Sequence, residues 1–234
     1  MPLLRSLRSF WRTFYKYAAP TALVLRIKAG YAGTARGGVD VPGAKRETQS
    51  PMKKTNFPLS EVYRLLEPGP VVLLTTARAG RANVMPMSWH LMMEFEPPLV
   101  GCVVSNRNYS FASLKATREC VINIPTVELA ETVVACGNTS GRSVDKFKAF
   151  GLTPVAAACV KAPLIAECYA SLECKVRDAK LVTKYNFFIL EVVQAWIDPA
   201  RKRPRTIHHQ GEGEFMVAGR TLHLPSPKTS LGGK

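Results

Sequence analysis

The sequence predicts a mainly β (α+β) protein, a closed β-barrel that carries a few short inserted helices. Six to eight short runs rich in apolar and β-branched residues follow one another, separated by turns that contain Gly and Pro. Helical spacing interrupts these runs at only a few places. The chain contains neither a G-x-G-x-x-G motif nor a P-loop, so nothing in it favours a doubly wound sheet.

Each element is predicted from local periodicity and from residues that start or stop it. Ser60 and Ser110 are natural N-caps, Gly151 can end a helix, and Pro86 marks a strand edge or a bulge. In chain order the pattern predicts a helix over 60–66, strands over 71–76, 83–94 and 99–104, a helix over 110–117, a strand over 120–125, helices over 127–136 and 144–149, strands over 165–175, 176–184 and 186–195, and a last strand or turn over 215–220.

Charge is distributed unevenly along the 234 residues. The net charge is +15, and the first 54 residues hold eleven Lys and Arg against two acidic residues. The remaining chain is only mildly basic, which argues against nucleic-acid binding by the folded body. No apolar run reaches the roughly 18–20 residues that a transmembrane helix needs, so no transmembrane segment is expected.

Residues 1–51 differ in composition from the rest and are expected to be a poorly ordered basic extension. Residues 3–12 alternate apolar and basic side chains, which is typical of an Arg-rich targeting or membrane-surface segment. Alternatively the segment is a non-native extension, and Met52 is the true start. A single domain is predicted over residues 52–225, followed by a flexible tail over 226–234.

The six cysteines show no metal-binding spacing. There is no C-x-x-C pair, and no His lies at zinc-ligand spacing from any Cys. Buried, reduced thiols in a cytoplasmic protein are the simplest interpretation. Cys136, expected in a loop before Gly137, is the one candidate nucleophile.

Two segments have the composition of phosphate-binding turns. Residues 105–110 (Ser-Asn-Arg-Asn-Tyr-Ser) follow a predicted strand and open a helix, where unpaired N–H groups and the helix dipole favour an anion. Residues 141–147 (Gly-Arg-Ser-Val-Asp-Lys-Phe) have the same features, because a Gly-containing turn opens a short helix that carries Arg142, Ser143 and Lys146. Either segment could instead be a capped turn with solvated cations.

Two other segments could contact a ligand. The strand over 83–89 carries Pro86, and a bulged edge there would leave backbone groups free to bond a flat heterocycle. His208 and His209 follow the basic run 201–205, which could meet an anionic nucleotide or could be a solvated loop. No order of Ser, His and Asp predicts a catalytic triad.

From about Phe57 to Leu224 the chain resembles the flavin reductase-like, FMN-binding split β-barrel family of flavoredoxins and ferric reductases. The resemblance rests on the segments 70–76, 83–89, 97–100, 105–111, 120–125 and 145–147. It implies an FMN-dependent homodimer with the flavin near the subunit interface, and NADH or NADPH as the electron donor.

The resemblance also implies roles for individual residues. The flavin ring would be lined by Met85, Pro86, Met87 and Ser88. The ribityl chain and the phosphate would be held by Ser105, Asn106, Arg107 and Ser110. Asn108 and Phe111, which belong to the same segment, would also contact the cofactor. Ser143, Lys146 and Phe147 would close the site. His208 and His209 would lie where the nicotinamide nucleotide enters, and no protein acid–base pair would be needed because the flavin does the chemistry.

Three hypotheses remain open at this point. The first is an NAD(P)H-dependent flavin reductase that passes electrons to free flavin, ferric iron or a redox partner protein. The second is an FMN-bearing electron carrier of the flavoredoxin type without its own nicotinamide site. The third is a basic binding protein that acts through residues 1–54.

Overall fold

The computed structural model describes residues 53–62, 69–211 and 213–221. Within these ranges the strands are β1 (Thr55–Asn56), β2 (Val72–Arg78), β3 (Arg81–Met87), β4 (His90–Phe95), β5 (Pro98–Val103), β6 (Glu119–Ile124), β7 (Pro154–Val155), β8 (Leu164–Ile165), β9 (Ala170–Asp178), β10 (Phe187–Ile197), β11 (Ile207–Gly211) and β12 (Glu214–Val217). The α-helices are α1 (Tyr109–Thr117), α2 (Ala130–Asn138), α3 (Lys146–Phe150) and α4 (Val182–Tyr185), and short 3-10 turns cover Leu59–Glu61 and Val127–Leu129.

Eight of these strands form one antiparallel sheet. Its order is β3-β2-β6-β9-β10-β5-β4, with β1 added beside β10. Strands β3 and β4 therefore lie at opposite ends of the order, yet only Ser88 and Trp89 separate them along the chain. Two residues span less than about 11 Å, so the sheet must curl until its two edges meet at this corner. No pairing joins β3 to β4 in the described ranges, and the barrel is split there rather than closed.

A tight turn fixes the β2–β3 hairpin. Arg78 pairs with Arg81, so the loop contains only Ala79 and Gly80, whose φ angles are 50° and 74°. Positive φ at both positions is the signature of a type I′ turn, whose twist matches that of paired strands. The register runs without a shift as far as the pair of Val72 with Met87.

Two of the three apolar clusters in the described residues lie on either side of the β2–β3 hairpin. The larger contains Val72 and Leu74 with α1 and strands β5, β6, β9 and β10, and Phe188 is its largest fully buried side chain. The second contains Leu73 and Val84, and it lies under α2, α3 and the β11–β12 hairpin. Alternation along β2 explains the division, because successive side chains point to opposite faces.

The loop after β7 is pinned by a buried carboxylate. Glu173 on β9 is fully buried, and it accepts hydrogen bonds from the backbone N–H groups of Ala158 and Cys159. Its Oε1 also accepts the indole N–H of Trp196 at 2.7 Å. Three donors satisfy the carboxylate, which is the usual condition for burying one.

The strands and helices confirm most of the predicted elements, with several corrections. The single strand expected over 83–94 is two strands, β3 and β4, because the chain changes pairing partner at Ser88 and Trp89. The strand expected over 165–175 is interrupted before Ala170 by a turn in which Cys168 N–H donates to the Ile165 carbonyl. The strand expected over 176–184 is confirmed only as far as Asp178, where β9 ends, and α4 follows from Val182.

The predicted helix caps need correction as well. Ser60 lies inside the 3-10 turn, whose preceding residue is Pro58, and residues 63–66 of the expected helix lie outside the described ranges. Asn108, not Ser110, precedes α1. Helix α3 begins at Lys146, where the Asp145 carboxylate accepts the N–H groups of Phe147 and Lys148.

The cysteines are free, and five of the six are buried as expected. Cys159 is the exception, because the pinned loop after β7 exposes it. Cys136 lies within α2 and not in a loop, and burial raises the pKa of its thiol to about 11. That environment does not favour a nucleophilic thiolate at neutral pH.

The predicted basic extension over 1–51 and the predicted tail over 226–234 lie outside the described ranges. Among the described helices, none combines the length and the apolar character needed to cross a bilayer.

Candidate functional site

Strand β3 is an edge of the main sheet and is the centre of the candidate site. In a two-residue hairpin the residues that flank the turn form a hydrogen-bonded pair, and such pairs alternate with pairs whose backbone groups face outward. The outward positions on β3 are therefore Ala82, Val84 and Pro86. Because Pro86 is at an outward position, its missing N–H removes no hydrogen bond between β3 and β2. The expectation that Pro86 marks an edge is confirmed, and the pairing shows no bulge.

Helix α1 lies over one face of this hairpin and begins next to β3. Its first turn carries no acidic residue, and the side chain of Asn108 makes no capping hydrogen bond. The positive end of the helix dipole is therefore not compensated within the helix. The loop that leads into α1 is ordered by Ser105, whose buried hydroxyl accepts the N–H of Arg107 at 3.3 Å.

A buried amide ties β3 to α1. Asn83 Nδ2 donates to Ser110 Oγ at 2.8 Å, and both residues are buried. Asn83 occupies a core-facing position on β3, directly opposite Thr76 of β2. Asparagine at such a position needs a specific partner, since an unpaired buried amide is costly. Ser110 therefore positions β3 against α1.

The loop over residues 140–143 docks on the same corner. Gly141 is buried, and a Cβ built on it would lie 1.9 Å from Asn83 Oδ1 and 2.9 Å from Tyr109 Cδ1. Only a residue without a side chain permits this approach. The two phosphate-type segments that the sequence singled out separately, 105–110 and 141–147, are thus brought together at Asn83.

Arg81 bridges the hairpin and this loop. Its Nη2 donates to the Gly141 carbonyl at 2.8 Å, and its Cζ lies 5.5 Å from the centroid of the Tyr109 ring. Arg107 and Arg142 are exposed in the two adjoining loops. Guanidinium groups, serine hydroxyls and the start of a helix are the donors that bind phosphate esters, so the donor set at this corner fits the phosphate of a flavin nucleotide.

The side chains expected around a flavin ring are divided between the core and the surface. Met87 is buried in the larger apolar cluster, and Met85 packs against that cluster while only half-buried. Pro86 contacts α2, because a Cβ on Gly137 would lie 3.1 Å from Pro86 Cγ. Ser88 is half-buried in the corner that joins β3 to β4.

Of the other predicted site residues, Lys146, Phe147 and Phe111 make contacts inside the protein, and two more are exposed. Lys146 is 5% exposed, and its ammonium donates to the carbonyls of Val84 at 2.9 Å and Cys136 at 2.7 Å. Burial lowers the pKa of Lys146, and the neighbouring Cys136 raises it to a smaller extent. Phe147 is buried in the second cluster, and the Phe111 ring meets Phe188 edge-on at 5.7 Å. Asn106 and Ser143 are exposed in the two loops.

The two predicted nicotinamide-side histidines lie on the β11–β12 hairpin. His208 Nε2 lies 3.1 Å from Thr206 Oγ1, and the His209 ring packs at 5.0 Å from the Phe215 ring. Burial lowers the pKa of His209. The hairpin is anchored beside β2, where Val71 N–H donates to the Ile207 carbonyl at 2.7 Å. Its apolar side chains join the second cluster, on the face of β3 opposite α1.

The segments singled out from the sequence contain Asn83, Tyr109 and Gly141 but gave none of them a role in assembling this corner, and Arg81 lies outside those segments. The sequence did contain a signal for Asn83. At a spacing of two residues it lies on the same strand face as Met85 and Met87, and a polar amide on a face that carries apolar side chains is unusual. Gly141 and Arg81 gave no such signal, since their importance depends on contacts 58–60 positions away in sequence.

A mostly antiparallel sheet with a few short helices, curled into a split barrel, is the fold of the flavin reductase-like split barrels. The chain belongs to the flavin reductase-like domain family, whose model matches residues 64–214.

The chain is also similar to a curated relative and to solved structures. The chain is 33% identical over 179 residues to the uncharacterized protein YddH of Escherichia coli (strain K12), covering 70% of this chain and 94% of that protein. An FMN-binding domain of a flavin reductases-like enzyme from Shewanella baltica OS155 superposes with a TM-score of 0.70 and 26% identity, over 76% of this chain and 100% of that one. Flavoredoxin of Desulfovibrio vulgaris (Miyazaki F) shares the fold, with a TM-score of 0.62 and 24% identity, over 67% of this chain and 90% of that one.

Proposed function

We propose that this protein is an FMN-dependent oxidoreductase that takes a hydride from NADH or NADPH and passes electrons to an acceptor. The observation that carries the proposal is the meeting of segments 105–110 and 141–147 at Asn83, on the free edge of β3. Membership of the flavin reductase-like family and the similarity to an FMN-binding domain support it.

The phosphate of FMN is assigned to the corner between α1 and the 140–143 loop. Ser105, Asn106, Asn108 and Ser110 belong to the segment that would hold the phosphate and ribityl chain, with Arg107 and Ser143 at its exposed rim. The dipole of α1 and the cations favour a dianion there, and no acidic side chain in the first turn opposes it.

The flavin ring is assigned to the strand edge that continues from this corner. The outward-facing backbone at Pro86 and the adjoining Ser88 can hydrogen-bond a flat heterocycle, while Met85 offers an apolar, polarizable contact. Lys146 contributes indirectly, because its ammonium fixes the outward carbonyl of Val84 and joins β3 to α2.

When bound, FMN would supply the hydride-accepting chemistry at its N5. The chain's part is to fix the ring on a rigid strand, to neutralise the phosphate and to exclude water from one side. His208 and His209 line the hairpin assigned to nicotinamide entry. Free flavin, ferric iron and a redox partner protein are the acceptor classes that this chemistry serves.

A homodimer is part of the proposal. Strand β4 is the other edge of the sheet, and it exposes the side chains of Leu91 (52%), Met93 (43%) and Phe95 (46%). Exposed apolar side chains grouped on a sheet edge are a liability unless another surface covers them. A second copy of the chain would cover them close to the corner where β3 and β4 meet. The free thiols are consistent with a cytoplasmic location.

A second candidate is an FMN-bearing electron carrier without a nicotinamide site. It is favoured by the contacts of the two histidines, since His208 bonds Thr206 and His209 packs on Phe215. These contacts hold the rings within the hairpin. The carrier would use the same FMN corner and would receive its electrons from another protein.

The decisive experiment is an absorbance spectrum of the purified full-length chain with added FMN, without oxygen, before and after NADH or NADPH. Rapid bleaching of the flavin band near ~450 nm supports the reductase and identifies the donor. A bound flavin that stays oxidised with both donors but is reduced by dithionite favours the carrier. Absence of any FMN binding contradicts both.

A further inference from the structure

A cleft of about 330 Å³ lies beside α1 and adjoins the FMN corner, with which it shares Arg81 and Tyr109. Its lining residues come from the tip of the β2–β3 hairpin and from one side of the helix: Arg78, Ala79, Arg81, Tyr109, Ala112 and Ser113. Two of these are arginines and one is aromatic, while Ala112 and Ser113 are small and leave space next to the Tyr109 ring.

The two arginines stand directly opposite each other across the hairpin. Arg78 and Arg81 are register partners, and both side chains are exposed. Like charges directly opposite on paired strands are destabilising. Within the described ranges, neither guanidinium lies within ion-pair distance of a carboxylate. The pair therefore concentrates positive charge at the mouth of the cleft at a cost to the fold, and a bound anion would offset that cost.

The hairpin turn and the contacts of Arg81 hold one side of the cleft in place. The type I′ turn at Ala79 and Gly80 fixes the pairing of Arg78 with Arg81. Within this turn Ala79 has a φ of 50°, a value that residues other than glycine rarely adopt. Arg81 is further held by its hydrogen bond to the Gly141 carbonyl and by its position over the Tyr109 ring. Because Arg81 is already held in place, it loses little conformational entropy when a ligand binds.

We infer that this cleft binds the adenosine-phosphate half of a dinucleotide. Two guanidinium groups match the oxygens of a phosphate ester, and an aromatic ring paired with a guanidinium is a surface on which a nucleobase stacks. The volume is at the small end of ligand sites, which suits half of a dinucleotide better than the whole. Arg81 joins the cleft to the FMN corner through Gly141, so the other half would extend towards the flavin.

The assignment of this ligand rests on the proposed function. NADH, NADPH and FAD share an adenosine-phosphate end, and that shared chemistry is what the cleft recognises.

Titration calorimetry of the full chain, loaded with FMN, would test the inference. The probes are ADP and adenosine 2′,5′-bisphosphate, applied to the wild type, to Arg78→Gln and to Arg177→Gln. Arg177 is a matched control because it is an exposed strand arginine on β9, 3.8 Å from Glu191, and it does not line the cleft. We expect Arg78→Gln to weaken nucleotide binding about tenfold or more, as for loss of a hydrogen bond to a charged group.

In the same experiment Arg177→Gln should bind the probes as the wild type does, and FMN content should be equal in all three proteins. Equal affinity of Arg78→Gln and Arg177→Gln for the probes would overturn the inference. So would failure of the wild type to bind either probe at millimolar concentration.

Kinetic and binding measurements distinguish the two sources of the adenosine phosphate. A raised KM for NADH or NADPH in Arg78→Gln, with unchanged FMN affinity, assigns the cleft to the electron donor. A loss of FAD affinity relative to FMN assigns it to the flavin. If neither donor reduces the flavin but probe binding still depends on Arg78, the reductase proposal fails and the cleft assignment stands.

Discussion

His90 and Pro70 connect the two sides of the split in the barrel. His90 Nε2 lies 2.7 Å from the carbonyl oxygen of Pro70, so this nitrogen carries the hydrogen and Nδ1 is the unprotonated one. His90 opens edge strand β4, and Pro70 precedes β2. Nδ1 is buried without a hydrogen-bond partner in the described ranges. A hydrogen bond from a neutral imidazole thus holds the corner at which the chain passes from one edge of the sheet to the other.

Acid should destabilise the fold through His90. Burial lowers the pKa of His90 below its usual 6.5, and the bond to Pro70 only partly opposes this shift. Protonation therefore favours the unfolded chain, so the stabilisation is complete above about pH 6.5 and is lost as the pH falls towards the lowered pKa. Urea unfolding between pH 5 and pH 8 should show this loss.

The matched variant for that measurement is His90→Gln, which keeps an N–H donor but does not titrate. It should be less stable than the wild type at pH 8, and the difference should shrink as the pH falls. A constant difference across the range would show that the pKa of His90 is the same in the folded and the unfolded chain.

Gly141→Ala should destabilise the protein by roughly 1–3 kcal/mol, the range for inserting a methyl group into a packed site. The added Cβ would clash with Asn83 Oδ1 and with the Tyr109 ring. Since the clash displaces the 140–143 loop, FMN affinity should fall as well. Thermal unfolding and FMN titration measure the two effects.

Gly219→Ala is the control for Gly141→Ala, because a Cβ at Gly219 meets nothing within 4 Å. Its stability and FMN affinity should match those of the wild type. Equal behaviour of the two variants would contradict the close approach of Gly141 to β3.

The bond between Asn83 and Ser110 should appear as a coupling energy. Asn83→Ala and Ser110→Ala each remove one partner of a buried 2.8 Å hydrogen bond. The double variant should be less destabilised than the sum of the singles, by about 0.5–1.5 kcal/mol. Denaturant unfolding of the four proteins gives this number. A coupling near zero would mean that the amide and the hydroxyl do not interact.

Arg107→Ala should weaken FMN binding by about 1.5–3 kcal/mol, as expected for a hydrogen bond to a charged group. Arg107 is exposed in the loop before α1, so its loss should leave the stability of the apoprotein unchanged. Fluorescence titration with FMN, with Arg177→Ala as the charge-matched control, measures the effect. An unchanged affinity would remove Arg107 from the phosphate site.

Local periodicity predicted most elements of this fold because the strands are short, apolar and separated by turn residues. It did not predict the corner at Ser88 and Trp89, since an apolar run continues through it and only the pairing partner changes. Similarly, the helix of residues 182–185 was predicted as strand, because its apolar and polar residues alternate over too few positions to separate the two periods.

The candidate site was predicted in parts. The two phosphate-type segments were recognised from composition, but their meeting point at Asn83 depends on tertiary contacts that no local pattern encodes. The role of Lys146 in closing the site stays a prediction. What no local pattern indicated is that its ammonium bonds two backbone carbonyls, of Val84 and Cys136.

The pinned loop after β7 has a practical consequence. Cys159 is exposed while its backbone N–H is held by Glu173, and the other five cysteines are buried. A maleimide dye applied to the native protein should therefore attach at one position, on a backbone that is held in place. This provides a fluorescent reporter for subunit association and ligand exchange without any engineered cysteine.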